Sequence, residues 1–216
     1  MTDTPLKDAT VGGALAETLE RRSADGPARP LVLRVVRDFD ALDRAVYAAI
    51  AQTPTPTLDD ALRRLSDAAN NSKLWLGIAA AIAAVGGREG RRTAALGVTA
   101  VGITSATVNL AGKRLFDRAR PDRTGVEVPG PRHVRMPTST SFPSGHSASA
   151  FAFANAVAGQ YPLAGFPLRA LATAVAYSRV HTGVHYPSDV VIGSIIGAAI
   201  GDVVTAVGRR YWTKPL

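Results

Sequence analysis

The chain of 216 residues has no cysteine, which excludes disulfides and thiolate metal sites and leaves either side of a membrane open as its compartment. Aromatic residues are scarce, and acidic residues are outnumbered: 17 Asp and Glu face 25 Lys and Arg, a formal net charge of +8. An excess of that size suits nucleic acid, anionic lipid or an anionic substrate. Its distribution decides among them. Lys113, Arg114, Arg118, Arg120, Arg123, Arg132 and Arg135 crowd one segment, with no row of aromatics between them beyond Phe116. No RNA- or DNA-binding signature accompanies them, so nucleic acid is not an expected partner. Strand-period alternation and fixed-period repeats are also missing. Residues 1–30 lack an apolar run long enough for a secretory signal, being interrupted by Asp3, Asp8, Glu17 and Glu20. They read as a mobile polar tail ahead of one domain, residues 31–216.

What is present is helical periodicity. From Asp38 the apolar residues Phe39, Leu42, Val46 and Ile50 recur at helix spacing, until Thr53-Pro54-Thr55-Pro56 stops the pattern. A second amphipathic helix is expected from Thr57, with Asp60 three residues on, Leu58, Leu62 and Leu65 on one face, and Asp59, Arg63 and Asp67 opposite. Such a helix packs on a core or lies at a membrane surface. Uncharged runs follow: Leu74 to Gly87, Thr93 to Gly112, Ser147 to Leu168 broken by Pro162 and Pro167, Ala170 to Ser178, and Val190 to Gly201 continuing past Asp202 to Gly208. Only Thr93 to Gly112 meets the length of roughly 20 residues that a bilayer asks of a helix. The others are short, punctuated or rich in Ala and Gly, a composition that suits tightly packed spans. Five such runs, with the charges confined to their connections, favour membrane spans over a soluble bundle. The expected fold is all-α: a membrane bundle of about five to six hydrophobic helices preceded by N-terminal amphipathic ones.

Three clusters carry chemistry. Phe142-Pro143-Ser144-Gly145-His146-Ser147 is a tight turn opening onto an apolar helical run. Pro143 presets φ, Gly145 admits close backbone approach, and the helix start turns free N–H groups toward an anion. His146 adds an imidazole, the side chain suited to passing a proton at physiological pH. Alone the stretch reads equally well as a plain N-cap. Upstream stand Lys113 and Arg120 with Pro121; downstream stand Ser178-Arg179, His185 and Asp189. Three fixed cations, two imidazoles, a carboxylate and a backbone nest are the equipment for holding a tetrahedral phosphate and attacking its phosphorus.

These blocks, at 113–121, 143–146 and 178–189, are complete and in order. They resemble the three signature blocks of the type 2 phosphatidic acid phosphatase superfamily, which also contains bacterial acid phosphatases and vanadium haloperoxidases. The resemblance covers Lys113 to Asp189 directly and, through helix pattern, most of the chain from about Leu58. It implies that His185 is the nucleophile, forming a phosphohistidine, with Asp189 holding its other nitrogen. His146 is then the general acid for the leaving oxygen and afterwards the base for water. Lys113, Arg120 and Arg179 clamp the nonbridging oxygens, and Ser144 and Gly145 add donors. No metal or cofactor is needed. A metal site of His181, His185 and Asp189 is the rival interpretation, but it leaves three adjacent cations unexplained. His133 reads as a loop residue and His181 as packing or a substrate-side contact. The loop from Asp122 to Phe142 is expected to drape over the site.

The implied protein is a multi-pass enzyme of the cell membrane, inhibited by vanadate. It hydrolyses phosphatidic acid, phosphatidylglycerol phosphate, or a polyprenyl phosphate or diphosphate; its oligomeric state is left open. The rivals are a soluble acid phosphatase of the same superfamily, a haloperoxidase, disfavoured because those enzymes tend to be much larger, and a membrane scaffold with a degenerate site. The intact His146, His185 and Asp189 argue against degeneracy. Arg88, Arg91, Arg92, Arg169, Arg209, Arg210 and Lys214 are expected to share the cytoplasmic face, which puts the site on the outer face.

Overall fold

The computed structural model describes residue 20 and residues 31–112 and 115–212; the expected polar tail falls almost wholly outside them, as does Lys113. Seven α-helices and no strand occur among the described residues. They are α1 (Leu31–Gln52), α2 (Pro56–Ala68), α3 (Lys73–Val85), α4 (Gly87–Ala106), α5 (Gly145–Ala158), α6 (Pro162–His181) and α7 (Pro187–Trp212).

The boundaries follow local chemistry. α1 ends where Thr53 turns its amide and its hydroxyl back onto the Ala49 carbonyl, at 3.1 and 2.7 Å, just before Pro54. α2 begins at Pro56, one residue earlier than the expected start, because proline tolerates the first helical position and Thr55 serves as its cap residue. A 3-10 turn, Asn70–Ser72, with Asn71 and Ser72 in the left-handed region, leads into α3. α4 passes into a π-helical stretch, Thr107–Gly112. The run expected from Ser147 to Leu168 is divided: α5 stops at Ala158, and Pro162 opens α6, which continues through Pro167. Pro167 lies in the second turn of α6 and removes one hydrogen bond, to the Leu163 carbonyl, without ending the helix.

α5 is the centre of the bundle. Its 14 residues rise only about 21 Å, and α4, α6 and α7 enclose it so fully that Ala148, Ala150, Ala152, Phe153, Ala154, Ala156 and Val157 are all buried. The approach of α7 to α5 depends on Gly193, Gly197 and Gly201, four residues apart: a Cβ at these positions would overlap the carbonyls of Ser144, Ala148 and Ala152 respectively. This is the small-residue spacing that lets membrane helices meet backbone to backbone. Trp75 of α3 stacks on Phe153, centroids 5.4 Å apart, and closes the other side.

The outer surface is apolar. Val85, Leu163, Phe166, Ile195 and Val203 are all exposed. The segments Gly87–Leu110 and Pro187–Tyr211, 24 and 25 residues, are long and apolar enough to cross a bilayer. The molecule is an all-α membrane bundle.

The two N-terminal helices are turned opposite to a core-packing expectation. On α1 the apolar residues Phe39, Leu42 and Val46 face outward, and Asp43 is buried. On α2 Leu58 is exposed, whereas Asp59 and Ser66 are buried. The inward faces mix apolar residues, Tyr47 and Ala51 on α1 and Leu65 on α2, with these polar ones, which meet arginines and a histidine at the site end of the bundle.

Candidate active site

The C-terminal ends of α4 and α6 and the N-terminal ends of α5 and α7 converge at one end of the bundle, so the three sequence blocks meet there. Gly183, at φ +69°, makes the tight turn after α6; a Cβ here would press on Arg123 and on the Tyr47 hydroxyl at 3.0 Å. The turn aims the His185 ring inward. Pro187 opens α7, and Asp189 in its first turn reaches back to accept from the Tyr186 amide at 2.9 Å.

His185 is buried. Its Nδ1 lies 3.4 Å from Asp189 Oδ2 and 3.5 Å from the Ser141 hydroxyl, while Nε2 faces Arg120 Nη1 at 3.3 Å. Burial pushes its pKa down to about 4; Arg120 and Arg179 push the same way and the contact with Asp189 opposes them. The ring is therefore neutral at neutral pH, the state in which a nitrogen has a lone pair to give. Asp189 also accepts from the Ser141 hydroxyl and from Arg118 Nη1, the latter at 2.8 Å.

Arg120 is fixed from behind. It donates to the carbonyls of Ser139 and Val184 at 2.8 Å each and to that of Thr140 at 3.1 Å. Arg179 is almost fully buried; its Nη1 donates to the Ser66 hydroxyl, and its Nε has no hydrogen-bond partner among the described residues. A buried guanidinium donor without a protein partner suits an anionic ligand. Ser144 caps α5: its hydroxyl accepts from the Ser147 amide at 3.4 Å and the Ser147 hydroxyl at 2.9 Å. The plain N-cap interpretation of the turn is thus met by Ser144, while Gly145 and His146 face the cavity. His146 Nε2 is 2.9 Å from Asn70 Oδ1 in the turn between α2 and α3. Arg120, Gly145, His146 and His185, with Ser139 and Ser149, line one pocket of about 240 Å³.

The loop between Asp122 and Phe142 supplies Pro137 and Ser139 to that pocket, as expected of a segment draped over the site. Its Arg132 is buried and ties the loop down, donating to Asp59 at 2.9 Å, to the Ala51 and Thr53 carbonyls at 3.0 and 2.7 Å, and to the Thr55 hydroxyl at 3.0 Å. His133 lies in the loop, near the Val128 carbonyl. His181 is a packing residue: its Nε2 faces Thr55 and Asp59 at 2.9 and 3.2 Å, away from any joint site with His185 and Asp189. Sequence reasoning missed Ser141, Asn70, Ser66, Arg118 and Asp43. Only Arg118 had a signal, as one of seven crowded cations; the others are common polar residues whose meaning depends on distant partners.

This geometry defines a class, and comparison with known proteins agrees. The chain belongs to the PAP2 superfamily, whose profile matches residues 93–212. It is 38% identical over 158 residues to the decaprenylphosphoryl-5-phosphoribose phosphatase of Mycolicibacterium smegmatis, covering 73% of this chain and 82% of that protein. The protein of the same name from Mycobacterium tuberculosis is 41% identical over 97 residues, 44% of this chain, and the match spans about half (51%) of that relative's length. The fold is similar to that of a transmembrane PAP2-type phosphatidylglycerolphosphate phosphatase from Bacillus subtilis, with TM-score 0.65, 20% identity, and 96% and 98% of the two chains covered. It is also similar to LpxE of Aquifex aeolicus, with TM-score 0.63, 22% identity, and 76% and 95% covered. The soluble alternative does not fit the apolar outer surface and the two helices long enough to cross a bilayer.

Proposed function

We propose that the protein is a metal-independent lipid phosphate phosphatase of the cell membrane, crossing it several times. The observation that carries this reading is His185: buried, neutral, its Nε2 directed at Arg120 beside the pocket and its Nδ1 turned to Asp189. Nε2 attacks phosphorus, forming the N–P bond as the bond to the leaving oxygen breaks. Asp189 holds the Nδ1 proton and stabilises the imidazolium that develops. His146 gives its proton to the leaving lipid oxygen, then takes one from the water that cleaves the phosphohistidine, releasing phosphate and restoring both rings. Arg120 and Arg179 meet the nonbridging oxygens, and Lys113 joins them by its place in the first block.

Within lipid phosphates, a polyprenyl-linked phosphate or diphosphate is the favoured substrate. Support comes from the relatives named for decaprenylphosphoryl-5-phosphoribose and from one, 38% identical over 81 residues, named as a putative undecaprenyl-diphosphatase of Escherichia coli.

The test is phosphate release from a panel of phosphatidic acid, phosphatidylglycerol phosphate and polyprenyl phosphates, with wild type beside His185→Ala and Asp189→Asn. His185→Ala is expected to be inactive, and Asp189→Asn to lose on the order of 10⁴-fold through the wrong tautomer. Activity is expected to survive EDTA; loss on chelation, restored by a divalent ion, would sink the metal-independent mechanism.

A further inference from the structure

Arg118 stands two residues before Arg120, and its guanidinium forks between Asp189 and two carboxylates of α1. Nη1 donates to Asp189 Oδ1 at 2.8 Å and to the Ser188 hydroxyl at 2.7 Å. Nη2 donates to Asp43 Oδ2 at 2.6 Å and to Asp40 Oδ1 at 3.2 Å. The Tyr186 ring lies beneath, its centroid 4.3 Å from Arg118 Cζ. Asp43, buried on α1, also accepts from the Ser188 amide at 2.8 Å and the Ser188 hydroxyl at 2.6 Å. It thereby satisfies a free N–H in the first turn of α7, the turn that carries Asp189.

We propose that Arg118 and Asp43 are positioning residues for phosphoryl transfer. Together they fix the Asp189 carboxylate, and through it the His185 ring, which makes α1 part of the catalytic apparatus. The inference rests on the reading of His185 as nucleophile. The two oxygens of Asp189 are held differently. Oδ2 is shared by the Ser141 hydroxyl, the Tyr186 amide and His185 Nδ1, and the contact with His185 is the longest of the three. Oδ1 is held by Arg118. Without that grip the carboxylate can rotate, and the contact that gives way first is the long one to the nucleophile. Asp43 keeps the fork itself in place and shares its charge with a second buried carboxylate, so neither acid is left uncompensated. A lysine at 118 keeps the charge but, as a point donor, cannot hold both carboxylates in the planar geometry of a guanidinium.

The experiment uses the full chain purified in detergent. Phosphate release from the best lipid phosphate of the panel is measured for wild type, Arg118→Lys, Asp43→Asn, the double variant and His185→Ala, together with vanadate affinity. Asn at 43 still accepts from the Ser188 amide, so that variant disturbs the fold least. Arg118→Lys and Asp43→Asn are each expected to lower kcat by about 10-fold or more, the scale of a slightly misplaced reacting group, with KM within about 2-fold of wild type and vanadate, which meets the same ring nitrogen, weakened in step with kcat. The double variant should be no worse than Arg118→Lys, because Asp43 acts through Arg118. Wild-type kcat in Arg118→Lys beside an inactive His185→Ala overturns the inference and leaves the nucleophile in place. Multiplying losses in the double variant, or a raised KM with kcat unchanged, overturn it too. Full activity in His185→Ala is a different signature and removes the reading on which it rests.

Discussion

Arg120 Nη1 stands 3.3 Å from His185 Nε2, and this one contact fixes the state of the nucleophile. A guanidinium only donates, so the ring nitrogen facing it must be the acceptor. The proton of the neutral imidazole then sits on Nδ1, where Asp189 and Ser141 are. The tautomer that attack requires is thus selected before substrate arrives, and an entering phosphate can take over the one Arg120 donor that faces the ring.

The first prediction concerns pH. The attacking form is neutral, and the folded pKa of His185 is depressed from the ordinary value near 6.5 to about 4. As pH falls through 6.5, the nucleophile stays unprotonated; it is lost only as pH approaches the folded value. The acid limb of kcat/KM, which reports the free enzyme, is expected well below 6. A limb centred at the ordinary imidazole value would contradict the buried, cation-flanked environment of the ring.

Much of this site is legible in the sequence because its chemistry is concentrated in short blocks. Pro143-Ser144-Gly145-His146 reads as a helix start, and α5 does begin at Gly145. His185 and Asp189, four apart across a helix-opening proline, do meet. What periodicity misled was orientation. Phe39, Leu42 and Val46 form a helix stripe in any reading, but a stripe does not say whether it faces a protein core or lipid. In water it would turn inward; here Asp43 turns inward instead, because Arg118 waits on the other side and the surroundings are apolar. Ser66 under Arg179 and Asn70 against His146 were beyond reach for a related reason: each partner lies at least 76 residues away, and nothing local marks them.

Vanadate is expected to inhibit competitively and more tightly than phosphate, because the pocket is suited to a trigonal-bipyramidal anion. Arg179 Nη1 is tied to Ser66, and its Nε has no hydrogen-bond partner among the described residues, which leaves one guanidinium donor for an anion. Arg179→Lys should weaken vanadate binding although the charge is kept, since the planar fork is lost. Equal inhibition constants in the variant and wild type would show that Arg179 does not clamp the phosphoryl group.

Arg132 is expected to matter for stability rather than chemistry. Burial works to raise the Asp59 pKa, but the Thr55 hydroxyl and the Arg132 guanidinium together hold it below the usual carboxylate range. Arg132→Met removes that cation and leaves the Ala51 and Thr53 carbonyls without their donor. Breaking one side of a buried pair costs roughly 3–5 kcal/mol, so the detergent-solubilised variant should melt many degrees lower. An unchanged melting temperature would mean that the loop is not pinned through Arg132.

The last prediction is sidedness. Arg88, Arg91 and Arg92, at the start of α4, and Arg209 and Arg210, at the end of α7, belong to the end of the bundle opposite His146 and His185. Nothing in the chemistry of the site requires them, so they count in full toward a cytoplasmic assignment, whereas the arginines around the pocket do not. α1 carries Arg34, Arg37, Asp38, Asp40, Asp43 and Arg44 within one stretch, too many charges for a crossing, and its Asp43 is anchored at the site end. An outward-facing site is therefore expected, with α1 and α2 on the same side. The chain has no cysteine, so single cysteines at Thr138 and Arg88, both exposed, report without background. In intact cells an impermeant maleimide should label position 138 and spare 88. The reverse pattern would place the pocket in the cytoplasm and make its substrate a lipid of the inner leaflet.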